Sequence, residues 1–142
     1  MKKTGIWLDK KVAYVISDDP EGHQHVEIIF SKVENYHVRG GSGTSRKGGP
    51  QDVVQDSRYL EREKHQMRSY FKEIVKYLKD ASEVVIFGPA ETGQKFKKEL
   101  DLNYEPIGAL VHEVVITDSM SKNQMKALVK NYFAASKSGV NY

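Results

Sequence analysis

The run Val84-Val85-Ile86-Phe87, closed by Gly88-Pro89, decides the fold class. Four consecutive apolar residues are typical of a strand that is covered on both faces, as in parallel sheets with helices on each side. A Gly-Pro pair ends such a strand sharply. The sequence therefore predicts an α/β domain with this strand in the middle of its sheet.

Three short strands are predicted upstream of this run. The apolar stretches 4–8 and 12–17 flank Asp9-Lys10-Lys11, a spacing typical of a tight antiparallel hairpin. The turn-forming segment 18–22 then leads into a third strand over 25–33. The alternating apolar residues of that strand share one face: Val26, Ile28 and Phe30.

Helices are predicted on both sides of the central strand. The first runs for roughly 20 residues, with a polar first half over 58–66 and an apolar stripe at three- and four-residue steps. A short helix is predicted over 90–100, then a strand over 109–116, then a final helix capped by Asp118 or Ser121. The buried stripes are Met67, Phe71, Ile74 and Leu78 in the first helix, Phe96 and Leu100 in the second, and Met125, Leu128, Val129, Tyr132 and Phe133 in the last.

The resulting order is βββαβαβα, with right-handed crossovers expected in the parallel part. This order predicts a ribonuclease H-like three-layer fold with a mixed five-stranded sheet. At 142 residues the chain fits a single domain over 1–142. It contains no cysteine, no secretory signal in 1–8 and no apolar run of membrane-spanning length, so we expect a cytoplasmic protein without a membrane partner.

A glycine-rich basic loop is predicted over about 35–56. Between Tyr36 and Gln51 it contains five glycines and three basic residues, Arg39, Arg46 and Lys47, and no acidic residue. Glycine lets a backbone approach a ligand closely, and arginine and lysine neutralise phosphates. The loop therefore favours phosphate binding, and the alternative is a surface loop with incidental charge.

The segment Arg46-Lys47-Gly48-Gly49-Pro50-Gln51, with Arg58 and Glu63-Lys64-His65 behind it, resembles the Gly-Gly-Gln loop and supporting helix of a known family. That family is the middle domain of eukaryotic and archaeal class I release factors and pelota. Arg58 and His65 keep the family's offsets of seven and fourteen residues from the glutamine. Small stand-alone bacterial relatives begin with a strand similar to Trp7-Leu8-Asp9.

The resemblance implies a protein that binds the ribosome or tRNA and promotes hydrolysis of peptidyl-tRNA in release or ribosome rescue. It implies catalytic roles for Gly48, Gly49 and Gln51 and no cofactor or metal. It implies that rRNA or tRNA phosphates are contacted by Arg39, Arg46, Lys47, Arg58, Arg62, Lys64 and His65. The family's decoding and GTPase-binding domains are not expected here, so a partner protein or a stalled ribosome would supply targeting.

Two alternatives remain open for the function. Pro50 separates Gly49 from Gln51, whereas the family's three residues are contiguous, and this favours a non-catalytic RNA- or protein-binding module of the same fold. A metal-dependent nuclease is a remote alternative, because nucleases of this fold need converging carboxylates. Asp9 and Asp118 are better explained as turn or cap residues.

His23 and His25 lie two residues apart, so they share one face of a strand. Such a pair is able to chelate a metal ion. Without a third ligand at a readable spacing, the sequence favours a solvated strand edge.

Overall fold

The computed structural model describes residues 2–32 and 50–137, and only the backbone of 50–59 and 136–137. The strands are β1 (Lys2–Leu8), β2 (Val12–Asp18), β3 (Gln24–Phe30), β4 (Ala81–Gly88) and β5 (Val111–Ile116). The helices are α1 (Pro50–Val75), α2 (Thr92–Asn103), α3 (Glu105–Gly108) and α4 (Lys122–Lys137).

The five strands form one mixed sheet in the order β3-β2-β1-β4-β5. β2 is antiparallel to both β1 and β3, whereas β4 is parallel to β1 and β5 is parallel to β4. This arrangement confirms the predicted α/β class and its ribonuclease H-like layout. The one addition to the predicted order is α3, a single turn whose Pro106 fits the first turn of a helix, where an amide donor is not needed.

Two cores cover the two faces of the sheet. On one face, α1 and α2 bury Ile6, Leu8, Val15, Val84 and Ile86 of the strands together with Phe71, Ile74, Leu78, Phe96 and Leu100. On the other face, α4 packs on Trp7, Ile16, Val85 and Phe87 with Met125, Val129 and Phe133. The central-strand prediction is therefore confirmed, because the side chains of the β4 run point alternately into both cores.

α1 begins earlier than the sequence predicts. Its 26 residues start at Pro50, within the segment 35–56 that was predicted as loop. Proline is well suited to the first helical position, since its fixed φ is helical and its missing N–H would have no acceptor there. Gln51 consequently lies in the first turn of the helix rather than in the loop. Residues 35–49 of the predicted loop lie outside the described residues.

β3 also differs from its prediction. Its last residue is Phe30 rather than residue 33, and its buried apolar residue is Ile29. Ile28 and Phe30 lie on the opposite face and are exposed. The reason is position, because β3 is the outer strand of the sheet and only Ile29 reaches the core beneath α1.

Of the two residues predicted to cap α4, Asp118 and Ser121, the structure confirms Ser121. The Gln124 amide donates to Oγ of Ser121 at 3.1 Å, and the Ser121 amide donates to Oε1 of Gln124 at 2.8 Å. These reciprocal bonds form a capping box, which satisfies two of the free amides at the helix start. The cap fixes where α4 leaves the sheet after β5.

Candidate nucleic-acid interface

The candidate interface lies at the edge of the sheet where the parallel strands β1 and β4 end. Gly88 ends β4 with φ +155, and a Cβ there would lie 2.1 Å from the carbonyl oxygen of Leu8. Only glycine allows β4 to approach the end of β1 this closely. The close approach brings the β1–β2 turn, with Lys10, near the start of α2 at Thr92.

The second half of α1 anchors the helix to this edge. Phe71 and Ile74 are buried, and the Phe71 ring lies 5.1 Å from the Phe96 ring of α2. The Tyr70 hydroxyl donates to the backbone oxygen of Asp9 at 2.9 Å. Burial, with a smaller effect from the Asp9 charge, raises the pKa of Tyr70 far above its usual range. Tyr70 is therefore a neutral donor that ties α1 to the β1–β2 turn.

An ion pair extends this attachment toward the middle of α1. The Lys10 Nζ lies 2.5 Å from Glu63 Oε2. A pair at the surface adds little to the free energy of unfolding, so the packing of Phe71 and Ile74 remains the main attachment of the helix.

The charged side chains of α1 before this anchor face solvent. Arg62, Lys64, His65 and Arg68 are exposed. Lys64 and His65 make no hydrogen bond or ion pair with any residue that the structure describes. Both remain available to an external anion.

Positions 51, 58 and 65 all lie on the continuous helix α1. Seven residues are close to two helical turns, so these positions share one side of the helix to within about 40°. They are separated by steps of about 10 Å along the axis. The described backbone therefore aligns the three positions that the family resemblance singles out, and nothing is described of the side chains at 51 and 58.

A cleft of about 280 Å³ lies between α1 and α2. Its apolar floor is formed by Met67 and Phe71, and Thr92 adds a buried hydroxyl. Its rim contains the cations Lys10, Lys64, Arg68 and Lys95 and the carboxylates Glu63 and Glu99. Four positive groups against two negative ones make this a positively charged cleft that favours anions.

The structure places the predicted site residues in three groups. Arg39, Arg46, Lys47, Gly48 and Gly49 lie outside the described residues. For Gln51 and Arg58 only the helical backbone is described, and Arg62, Lys64 and His65 lie exposed on α1. Sequence reasoning missed the contribution of Lys10, because the cleft joins it to Lys64 and Lys95 from elements far apart in the chain.

Two carboxylates in or beside strands of the sheet make hydrogen bonds within the fold. Asp9 Oδ1 accepts hydrogen bonds from the amides of Lys11 and Val12 at 2.7 and 2.9 Å, as expected of a turn residue. Glu113 Oε2 accepts a bond from the Tyr132 hydroxyl at 2.7 Å. Within residues 2–32 and 60–135, the group with metal-ligand spacing is elsewhere, in the β2–β3 turn.

Fold and geometry define the chain as a ribonuclease H-like α/β domain with a cationic helix and cleft at one sheet edge. None of the described helices combines the length and apolar character needed to cross a bilayer. No protein-family model matches the sequence. No curated protein sequence matches it either.

Two solved structures with a similar chain course are of archaeal proteins. One is a crystal structure of the translation termination factor aRF1, with 13% identity and a TM-score of 0.48 over 97% of this chain and 41% of that one. A second is described as an archaeal protein, with 13% identity and a TM-score of 0.49 over 96% of this chain and 38% of that one. The chain thus spans about two fifths of the length of each.

Proposed function

We propose that this chain is a cytoplasmic translation protein of the release-factor middle-domain type, which docks on the ribosome or tRNA and promotes peptidyl-tRNA hydrolysis. The observation that carries the proposal is α1 itself. It is one continuous helix that holds positions 51, 58 and 65 on one side and is anchored in the body by Phe71 and Tyr70. The basic glycine segment before it continues from the same end.

Gln51 would act through its backbone amide. The first four N–H groups of a helix have no acceptor within the helix, and the helix dipole makes this end positive. Gln51 lies in that first turn. Its N–H is a suitable donor to the oxygen that gains negative charge while water attacks the ester carbonyl carbon.

The products of this step would be a free peptide and a tRNA. The bond between the carbonyl carbon and the tRNA 3′ oxygen breaks, and a proton from the attacking water goes to that oxygen. Gly48 and Gly49 would let the backbone approach the tRNA end, since glycine leaves no Cβ in the way.

Binding would rest on phosphate neutralisation. On the described part of α1, Arg62, Lys64 and His65 face solvent, and Lys64 also lines the cationic cleft. Arg58 on the same helix, and Arg39, Arg46 and Lys47 before it, would extend this surface toward the peptidyl-tRNA. rRNA and tRNA phosphates are the proposed ligands.

Peptide release from ribosomes tests the catalytic part. Ribosomes with a peptidyl-tRNA in the peptidyl site and an empty aminoacyl site are mixed with wild type, Gln51→Ala, Gln51→Pro or Gln55→Ala. We expect wild type and Gln55→Ala to release peptide. Gln51→Pro, which removes the amide donor, should lose about 100-fold or more in rate, as for other oxyanion donors, while Gln51→Ala keeps the amide and most of the rate. Equal release by Gln51→Pro and wild type would contradict the role of the amide.

A second candidate function is a non-catalytic RNA-binding module of the same fold, which the interruption by Pro50 favours. Salt-dependent binding separates it from a protein without RNA affinity. The logarithm of the association constant for tRNA is measured against the logarithm of salt concentration for wild type, Lys64→Gln and Lys79→Gln. Lys64→Gln should reduce the slope by about 0.7 to 0.9, the value of one phosphate contact, and the exposed Lys79 serves as control.

Peptide release and tRNA binding together distinguish the two candidate functions. Binding without release supports the non-catalytic module. A salt-independent affinity, or no affinity for ribosomes and tRNA, would remove the translational proposal in both forms.

A further inference from the structure

The turn between β2 and β3 is a compact structure at the opposite edge of the sheet. The amide of Asp19 donates to the His23 carbonyl oxygen, and the amide of Gly22 donates to the Asp19 carbonyl oxygen, each at 3.0 Å. Gly22 has φ +91, a left-handed conformation that glycine adopts without strain. The turn is therefore closed by its own backbone.

Potential metal-ligand atoms of Asp19, Glu21 and His23 all lie within 4.8 Å of one another in this turn, and His25 approaches them through Asp19. Asp19 Oδ2 lies 3.6 Å from His23 Nδ1 and 3.5 Å from His25 Nε2. Glu21 Oε1 lies 3.9 Å from His23 Nδ1. In a tetrahedral zinc site with bonds of about 2.0 to 2.1 Å, neighbouring ligand atoms are about 3.3 to 3.4 Å apart. Small rotations of exposed side chains would bring the observed distances to that value.

Asp19 is held in the orientation that a ligand needs. Its Oδ1 accepts hydrogen bonds from the amides of Glu21 and His23 at 2.9 and 3.0 Å, which leaves Oδ2 directed at the imidazoles. The pKa of Asp19 is lowered, chiefly by the bond from the His23 amide. Its side chain is only 19% exposed, whereas those of His23 and His25 are 72% and 58% exposed.

The residue beside this cluster adds a further carboxylate to the same region. Asp18 has a buried carboxylate oxygen, Oδ1, with no hydrogen-bond partner among the described residues. Asp18 and Asp19 both line a cavity of about 460 Å³, which also contains Lys3 and Lys130. A buried carboxylate oxygen without a donor is costly, and positive charge in this cavity, from the two lysines or from a bound ion, reduces that cost.

We propose that Asp19, Glu21, His23 and His25 form a binding site for one divalent first-row transition metal ion, with Zn²⁺ as the ion to test. Two imidazoles and two carboxylates suit such ions better than Mg²⁺ or Ca²⁺, which prefer oxygen ligands only. The ion would join the β2–β3 turn to β3 and thereby stabilise the outer part of the sheet. This site is independent of the proposed translational function.

Isothermal titration of metal-free protein with Zn²⁺ tests the site. Wild type should bind one ion, and Mg²⁺ should give no comparable binding. Asp19→Asn keeps an oxygen for the turn amides but replaces the ligand oxygen by NH₂, and His25→Gln removes an imidazole. Each should weaken Zn²⁺ binding by at least the 10- to 100-fold typical of losing an outer-shell partner. His112→Gln, on β5, should bind like wild type.

Thermal unfolding provides a second measurement. Zn²⁺ at 100 times its dissociation constant should raise the Tm of wild type and His112→Gln by about 5 to 10 °C. The rise should disappear in His25→Gln, whose metal-free Tm should match wild type because the side chain is exposed. Equal Zn²⁺ affinity in wild type, Asp19→Asn and His25→Gln, or no binding to wild type, would overturn the proposal.

Discussion

The two edges of the sheet differ in charge and in how their side chains are held. At the end of β1 and β4, the cleft between α1 and α2 combines Lys10, Lys64, Arg68 and Lys95 over an apolar floor. At the other edge, the β2–β3 turn presents Asp19 and Glu21 with two imidazoles. One edge therefore favours anions, and the other favours a cation.

The support behind each edge differs as well. α1 is anchored by buried aromatic packing on α2, whereas the β2–β3 turn is held by its own backbone hydrogen bonds. Buried side chains pack closely along a whole element, so a substitution beneath α1 affects the attachment of the whole helix. A change in the turn stays local. Substitutions at the first edge should therefore lower the free energy of unfolding far more than substitutions at the second.

The largest expected effect comes from removing the packing under α1. Phe71→Ala removes a ring that is 4% exposed and should lower the free energy of unfolding by about 3 to 5 kcal/mol. Glu21→Ala, in the β2–β3 turn, removes a side chain that is 81% exposed and should change it by less than about 0.5 kcal/mol. Urea unfolding of both variants gives the difference. Equal losses would mean that the two edges are supported alike.

A smaller difference in the free energy of unfolding is expected between substitutions of two glycines with positive φ. Gly88→Ala should cost about 3 kcal/mol, because its Cβ would collide with the Leu8 carbonyl oxygen in a strained conformation. Gly22→Ala has no atom within 4 Å of the new Cβ and should cost about 1 to 2 kcal/mol from conformation alone. Thermal and urea unfolding measure both. A larger loss for Gly22→Ala would reverse the comparison.

The smallest effect concerns the Tyr70 hydroxyl. Its pKa is raised by burial, so its stabilising contribution is complete below the unfolded value of about 10 and is lost as pH rises through the folded value. Tyr70→Phe should cost about 1 kcal/mol at neutral pH for the lost bond to Asp9. It should also weaken the alkaline loss of stability. Urea unfolding from pH 7 to 11 checks this.

Tyr77→Phe is the control for that series, since Tyr77 is an exposed tyrosine. It should leave both the neutral stability and its alkaline dependence unchanged. Identical pH dependence in wild type and Tyr70→Phe would show that the Tyr70 hydroxyl is not held as the contact with Asp9 implies.

Much of the fold follows from local sequence patterns. The apolar β4 run predicts the sheet centre, and the Ser121–Gln124 pair predicts the start of α4, because both depend on neighbouring residues. The start of α1 was misjudged, since the glycines before Pro50 predict a loop while Pro50 itself is compatible with a first helical turn. The burial of Ile29 was not predicted, because it depends on β3 being the outermost strand of the sheet.

The sites depend on contacts between distant or folded segments. The exposed cations of α1 could be read from the polar half of the helix, but the role of Lys10 in the cleft depends on the tertiary fold. His23 and His25 were visible as a pair. The carboxylate that joins them comes from Asp19, a residue whose sequence context predicts only a turn. Closure of the turn places Asp19 Oδ2 3.6 Å from the imidazole of His23 and 3.5 Å from that of His25.

The length of the continuous helix α1 sets the position of its first turn relative to the body. Its 26 residues span about 39 Å, so the body fixes both how far its first turn reaches and which way that turn points. One residue added within α1 would rotate the first turn by about 100° around the helix axis. Seven added residues would move it outward by about 10 Å and almost preserve its direction around that axis. The distance of the first turn from the body can therefore be changed without changing its direction around the helix axis.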